Sequence, residues 1–139
     1  MSNLKILVPH DGSMVSDKAL NKAIDFARHL NYEILLLHII DLKVLQSDSI
    51  LKYIHDRPAL EKTKTQILKY IKAGSESMLK DRIEKAMKRG VKVRFILGIG
   101  STPEGIVNVA KNEKVDFIII GSRGLSSEDY TPNKTNSPW

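Results

Sequence analysis

The run EILLLHII, Glu33 to Ile40, admits few placements in a folded chain. Only Glu33 and His38 interrupt its apolar character, so no alternation of inside and outside can leave one face to water. It is also far shorter than the ~20 apolar residues that a membrane-spanning helix needs. A run of this kind reads as a strand covered on both faces, as in a parallel sheet between layers of helix. Three other short apolar runs accompany it: Leu4 to Val8 (LKILV), Val91 to Leu97 (VKVRFIL) and Val115 to Ile120 (VDFIII).

Helical periodicity fills the gaps. After the N-cap candidates Ser13 and Ser16, apolar residues recur at Ala19, Leu20, Ala23, Ile24, Ala27 and Leu30, which predicts an amphipathic helix ending near His29 to Asn31. A short helix is expected around Ser49 to His55, stopped by Pro58. From Leu60 to Arg89 the spacing of Ile67, Leu68, Ile71, Met78, Leu79, Ile83, Ala86 and Met87 predicts one long helix, or two broken at Gly74. Gly90 stands where helices stop. Thr102 is a cap candidate with Pro103 at the first helical position, followed by Ile106, Val107 and Ala110. The order β-α-β-α-β-α-β predicts an α/β fold with right-handed crossovers: an open parallel sheet with helices on both faces, Rossmann-like.

Composition narrows the function. The 139 residues suit one domain, and 42% hydrophobic with 27% charged residues is ordinary for a globular protein. No apolar run is long enough for a membrane span. The N-terminus, MSNLKILVPHDGS, reads as a first strand and lacks a secretory leader's pattern. Zero cysteines remove disulfide and thiolate chemistry and suit a cytoplasmic setting. The net charge of +6 raises nucleic acid as a partner, but the basic excess is interleaved with apolar residues between Lys62 and Lys92, as on a solvated helix face. Nucleic acid and membrane are therefore not the expected partners.

In an open parallel sheet, ligands bind beyond the carboxyl ends of the strands, where the strand order reverses. Those ends carry Pro9-His10-Asp11-Gly12-Ser13, Asp41, Gly98-Ile99-Gly100-Ser101-Thr102 and Gly121-Ser122-Arg123-Gly124. Glycine there lets backbone N–H groups approach an anion, or simply makes a tight turn. Asp11 either caps the first helix or accepts hydrogen bonds from a ligand, and His10 reads as a loop residue. The chain has no GxxxxGK[ST] loop, no GxGxxG and no GxSxG elbow, and no His/Asp/Glu cluster at metal-ligand spacing.

Taken together, KILVPHDGSMVSDKAL, LLLHIID and GSTPEGIVNVAKNEKVDFIIIGSRG resemble the universal stress protein family over about Met1 to Gly124. The resemblance implies the adenine nucleotide alpha hydrolase-like arrangement, strand order 3-2-1-4-5, with a crevice between strands 1 and 4. It implies a domain over 1–125 and a polar tail over 126–139, with the family's fourth helix and fifth strand missing, as in a truncated or diverged member. In the family's nucleotide-binding branch the residues after strand 1, here Pro9, His10 and Asp11, meet the nucleoside. The end of strand 2, here Ile39, contacts adenine through its backbone.

The phosphates of ATP, with its Mg, lie on a G-x-x-G, nine residues, G-[S/T] motif. Gly121, Ser122, Arg123 and Gly124 match the first half; Lys134-Thr135 stands where Gly-Ser or Gly-Thr is expected. Losing that glycine and the helix behind it removes anion-binding donors, so a weakened phosphate site is implied. The resemblance thus implies an adenine-nucleotide-binding stress-response or signalling module without evident catalytic machinery. The alternative is a member that no longer binds nucleotide and acts by protein association. A homo-oligomer formed by a contact other than the family's fifth-strand dimer is expected, with strand 4 as the exposed edge.

Overall fold

The computed structural model describes residues 4–41, 43 and 53–121. Four strands and three helices alternate: β1 (Leu4–Pro9), α1 (Met14–Leu30), β2 (Tyr32–Ile40), α2 (Arg57–Lys88), β3 (Val93–Ile99), α3 (Thr102–Asn112) and β4 (Phe117–Ile118). All pairings are parallel and the sheet order is β3-β2-β1-β4, the order expected for strands 1 to 4.

The apolar runs do what their lack of alternation requires. Ile6, Val8, Ile34 and Leu36 face α1 and α2, packing on Leu20, Ala23, Ile24, Ala27, Leu79 and Ala86. The intervening Leu7, Leu35 and Leu37 face α3, against Ile106, Val109 and Ala110. Each such side chain, once buried, contributes about 1.5–3 kcal/mol of transfer free energy. Leu79 is the one large apolar side chain of α2 that is fully buried, so the C-terminal half of that helix carries its docking.

Several boundaries differ from those predicted. Helix α2 is a single helix that passes Gly74, the ~1 kcal/mol glycine cost there being too small to break it. The short helix expected over 49–55 lies mostly outside the described residues, and Ile54 and His55 are not helical. Val91 belongs to the cap of α2, its N–H reaching the Ala86 carbonyl at 3.3 Å, and β3 instead runs on to Ile99. Ser101, not Thr102, is the N-cap residue of α3, which places Pro103 one position later. The fourth strand is shorter than VDFIII suggests: only Phe117 and Ile118 pair with β1, flanked by Asp116 N–H to Lys5 O (2.9 Å) and Ile119 N–H to Leu7 O (3.0 Å). Among the described residues β4 pairs with β1 alone. The tail over 126–139 lies outside the described residues.

Candidate functional site

The strand order reverses between β1 and β4, and a crevice of about 470 Å³ opens at their carboxyl ends. Pro9, His10 and Asp11 form one lip and Ile120 and Gly121 the other. Leu37, His38 and Ile39 make the floor, with Thr102 and Ile106 of α3 closing one side. Five of the residues singled out from sequence (Pro9, His10, Asp11, Ile39 and Gly121) therefore meet at one place. Ser122, Arg123, Gly124 and Thr135 lie outside the described residues.

The β1–α1 turn is held by its own side chains. Ser13 caps α1 by accepting the Ser16 N–H at 3.1 Å. Asp11 fixes the turn one step earlier: its Oδ1 accepts the Ser13 N–H at 2.9 Å and the Ser16 hydroxyl at 2.8 Å. Capping and ligand binding are thus not alternatives for Asp11. These bonds orient a carboxylate that also lines the crevice.

His10 is no ordinary loop residue, contrary to its reading from sequence. Its side chain is completely buried. Nδ1 accepts the Gly12 N–H at 3.0 Å, and Nε2 lies 2.8 Å from Asp17 Oδ1. A backbone N–H can only donate, so Nδ1 carries no proton and Nε2–H donates to Asp17: a neutral imidazole in one tautomer. Its backbone carbonyl accepts from His38 Nδ1 at 2.8 Å. Asp17 in turn receives two bonds from Arg82 of α2, at 3.0 and 3.2 Å. Burial lowers the His10 pKa, and the Asp17 carboxylate only partly offsets that. For Asp17, partial burial pushes the carboxyl up, but Arg82 and His10 together outweigh it and hold it below its ordinary value.

Gly98 and Gly105 also play a part the sequence did not reveal. Neither is in a loop: Gly98 is in β3 and Gly105 in α3. A β-carbon at Gly98 would lie 2.9 Å, and one at Gly105 2.7 Å, from Ile39 Cδ1. The two glycines make the slot that seats the Ile39 side chain and so set the end of β2 under the crevice. Gly121 is a second close approach: a β-carbon there would be 2.5 Å from Val15 Cγ1 and 3.0 Å from the Val15 carbonyl oxygen. Sequence reasoning missed His38, Asp17, Arg82 and Ile106. Of these only His38 carried a signal, as the one polar residue late in a buried strand. Among the described residues no three carboxylate or imidazole groups converge as a metal site.

Parallel α/β domains carry ligands in a crevice at this switch point, and here the crevice has an oriented carboxylate and apolar walls. Residues 3–130 match the family model described as "Universal stress protein family". The chain is 32% identical over 122 residues to universal stress protein YxiE of Bacillus subtilis, covering 88% of this chain and 80% of that one. It is 32% identical over 127 residues to universal stress protein MJ0577 of Methanocaldococcus jannaschii, covering 88% and 78%. The solved structure of MJ0577 superposes with a TM-score of 0.69 at 25% identity, over 86% of this chain and 74% of that one. A universal stress protein family member from Arabidopsis thaliana, crystallised with AMP bound, shares the fold at TM-score 0.56 and 21% identity, over 89% and 80%. The chain belongs to the universal stress protein family.

Proposed function

We propose that the crevice binds an adenine nucleotide, mainly through its adenosine part, and that the protein serves as a nucleotide-responsive stress or signalling module. The observation that carries this reading is the pairing of a pre-oriented Asp11 carboxylate with the Ile39 end of β2 across one apolar-walled crevice. Asp11 accepts hydrogen bonds from the polar edge of the nucleoside. The backbone at Ile39 reads the base, which packs against Ile106 and Ile120. A volume of about 470 Å³ falls within the range of small-ligand sites. The relative bound to AMP lends support by kinship.

Gly121 begins the phosphate side, with Ser122, Arg123, Gly124 and Thr135 as its further contacts. The lysine at 134 in place of glycine weakens that half, and Mg arrives with the phosphates of ATP. Calorimetry with adenosine, AMP and ATP tests the reading. Asp11→Ala should weaken adenosine binding about 10- to 100-fold, the worth of one charge-assisted hydrogen bond. ATP should bind within about tenfold of adenosine. Equal affinity of wild type and Asp11→Ala would sink the assignment.

One observation favours a second reading, action by association with a second copy of the chain. Phe117 and Ile118 of β4 and the following Ile120 are 55%, 46% and 58% exposed, β4 is the outermost strand among the described residues, and an apolar sheet edge invites strand pairing. Sedimentation at micromolar concentration decides it: a self-associating species broken up by Ile118→Lys supports pairing, and a strict monomer refutes it.

A further inference from the structure

We infer that His10 is the positioning residue of the ligand turn, and that its protonation releases Gly12 and so loosens the turn that carries Asp11. The geometry makes the turn the part that moves. The ring is clamped from behind by Asp17, itself held by two bonds from Arg82, and the His10 carbonyl is clamped by His38. The front contact, Gly12 N–H to Nδ1 at 3.0 Å, belongs to an exposed turn. Protonating Nδ1 sets two N–H donors against each other across that distance, while the bond to Asp17 gains charge and strengthens. The front contact therefore fails first. Asp11 keeps its bonds to Ser13 and Ser16, but the turn that carries it loses its anchor on the buried ring and its place beside the crevice is less fixed.

The charged groups facing the ring are Asp17 of α1, Arg82 of α2 and Asp11 of the turn itself; His38 of β2 meets only the His10 carbonyl. Burial and Arg82 oppose protonation, the two carboxylates favour it, and the ring ends below its ordinary value of about 6.5. The turn is then locked at neutral pH and released in acid. For the ligand, this rests on the adenosine reading above: adenosine is held at neutral pH and let go as the pH falls through the His10 titration.

The test is a pH titration of nitrogen-15-labelled protein by NMR, following the histidine rings and the Asp11, Gly12 and Ser13 amides. The result expected is an Nε2–H tautomer for His10 and a Gly12 amide shift with the ring's own midpoint. That shift disappears in His10→Asn, which keeps an acceptor near Nδ1 but cannot titrate. A Gly12 amide that stays flat through the ring's titration, or an Nδ1–H tautomer, overturns the inference. If His10→Asn does not fold, the wild-type ring and amide curves decide alone. Adenosine, which carries no group titrating between pH 5 and 8, is titrated alongside. Its affinity should fall at least about tenfold below the His10 midpoint in wild type and less than about twofold in His10→Asn. No adenosine binding at neutral pH would defeat the ligand reading, and the amide curves would still decide the role of His10.

Discussion

The two ends of the sheet handle charge in opposite ways. At the amino ends of the strands, charges pair with one another: Arg94 reaches Glu113 at 2.7 Å and Glu33 at 3.2 Å, Lys5 Nζ lies 3.6 Å from Glu113, and the Lys5 N–H donates to Asp116 at 2.8 Å. Arg94 holds the Glu113 carboxyl below its ordinary value. At the carboxyl ends, an ion pair, Asp17 with Arg82, backs a buried neutral imidazole, and the exposed Asp11 carboxylate lines a crevice. One end is closed on itself. The other is held in shape for something else, by bonds that run back through Asp17 to Arg82 on α2. The same four strands thus have one end that ties the layers together and one that is free to carry function.

Substitutions at the two ends should therefore separate ligand binding from stability. The largest expected effect is Asp11→Ala: adenosine affinity falls about 10- to 100-fold, while unfolding free energy falls by about 1–2 kcal/mol, because Asp11 also fixes the turn through Ser13 and Ser16. Calorimetry and urea unfolding on the same sample read both. Next is Gly121→Ala, whose new β-carbon meets the Val15 backbone, which cannot step aside. It should cost about 1–3 kcal/mol and also weaken the ligand, since it pushes the β4 lip off α1.

A smaller effect belongs to pH. The folded His10 pKa lies below the unfolded value of about 6.5, so between the two the unfolded chain binds more protons. Stability is fully present above about pH 6.5 and declines as the pH falls toward the folded pKa; His10→Asn should flatten that slope in urea unfolding. On the ligand the smallest effect is that of Arg94→Ala: adenosine affinity is unchanged, while about 1–3 kcal/mol of stability is lost because the buried Glu33 is left without its guanidinium. A loss of affinity there would erase the distinction between the two ends.

Much of this was legible in the sequence. EILLLHII could only be an interior strand, and the spacing of Ala19, Leu20, Ala23, Ile24 and Ala27 could only be a helix lying on it. Strand order, and the meeting of Asp11, Ile39 and Gly121, came with the family resemblance. What stayed hidden were partnerships between residues distant in the chain. A histidine in a turn looks the same whether exposed or sealed, and the fate of His10 is set by Asp17 and by Arg82, which arrives on a different helix. Gly98 reads locally as a turn glycine because its real reason, the Ile39 side chain, comes from β2. The length of β4 was hidden too, since an apolar run does not say how many of its residues will pair.

The sharpest test is adenosine titrated into labelled protein, with amide shifts mapped residue by residue. The shifts should gather at His10 to Ser16, at His38 and Ile39, and at Gly121, leaving Arg94, Glu113 and Asp116 still. Shifts centred at the amino ends of the strands, or none up to millimolar adenosine, would contradict binding at the crevice.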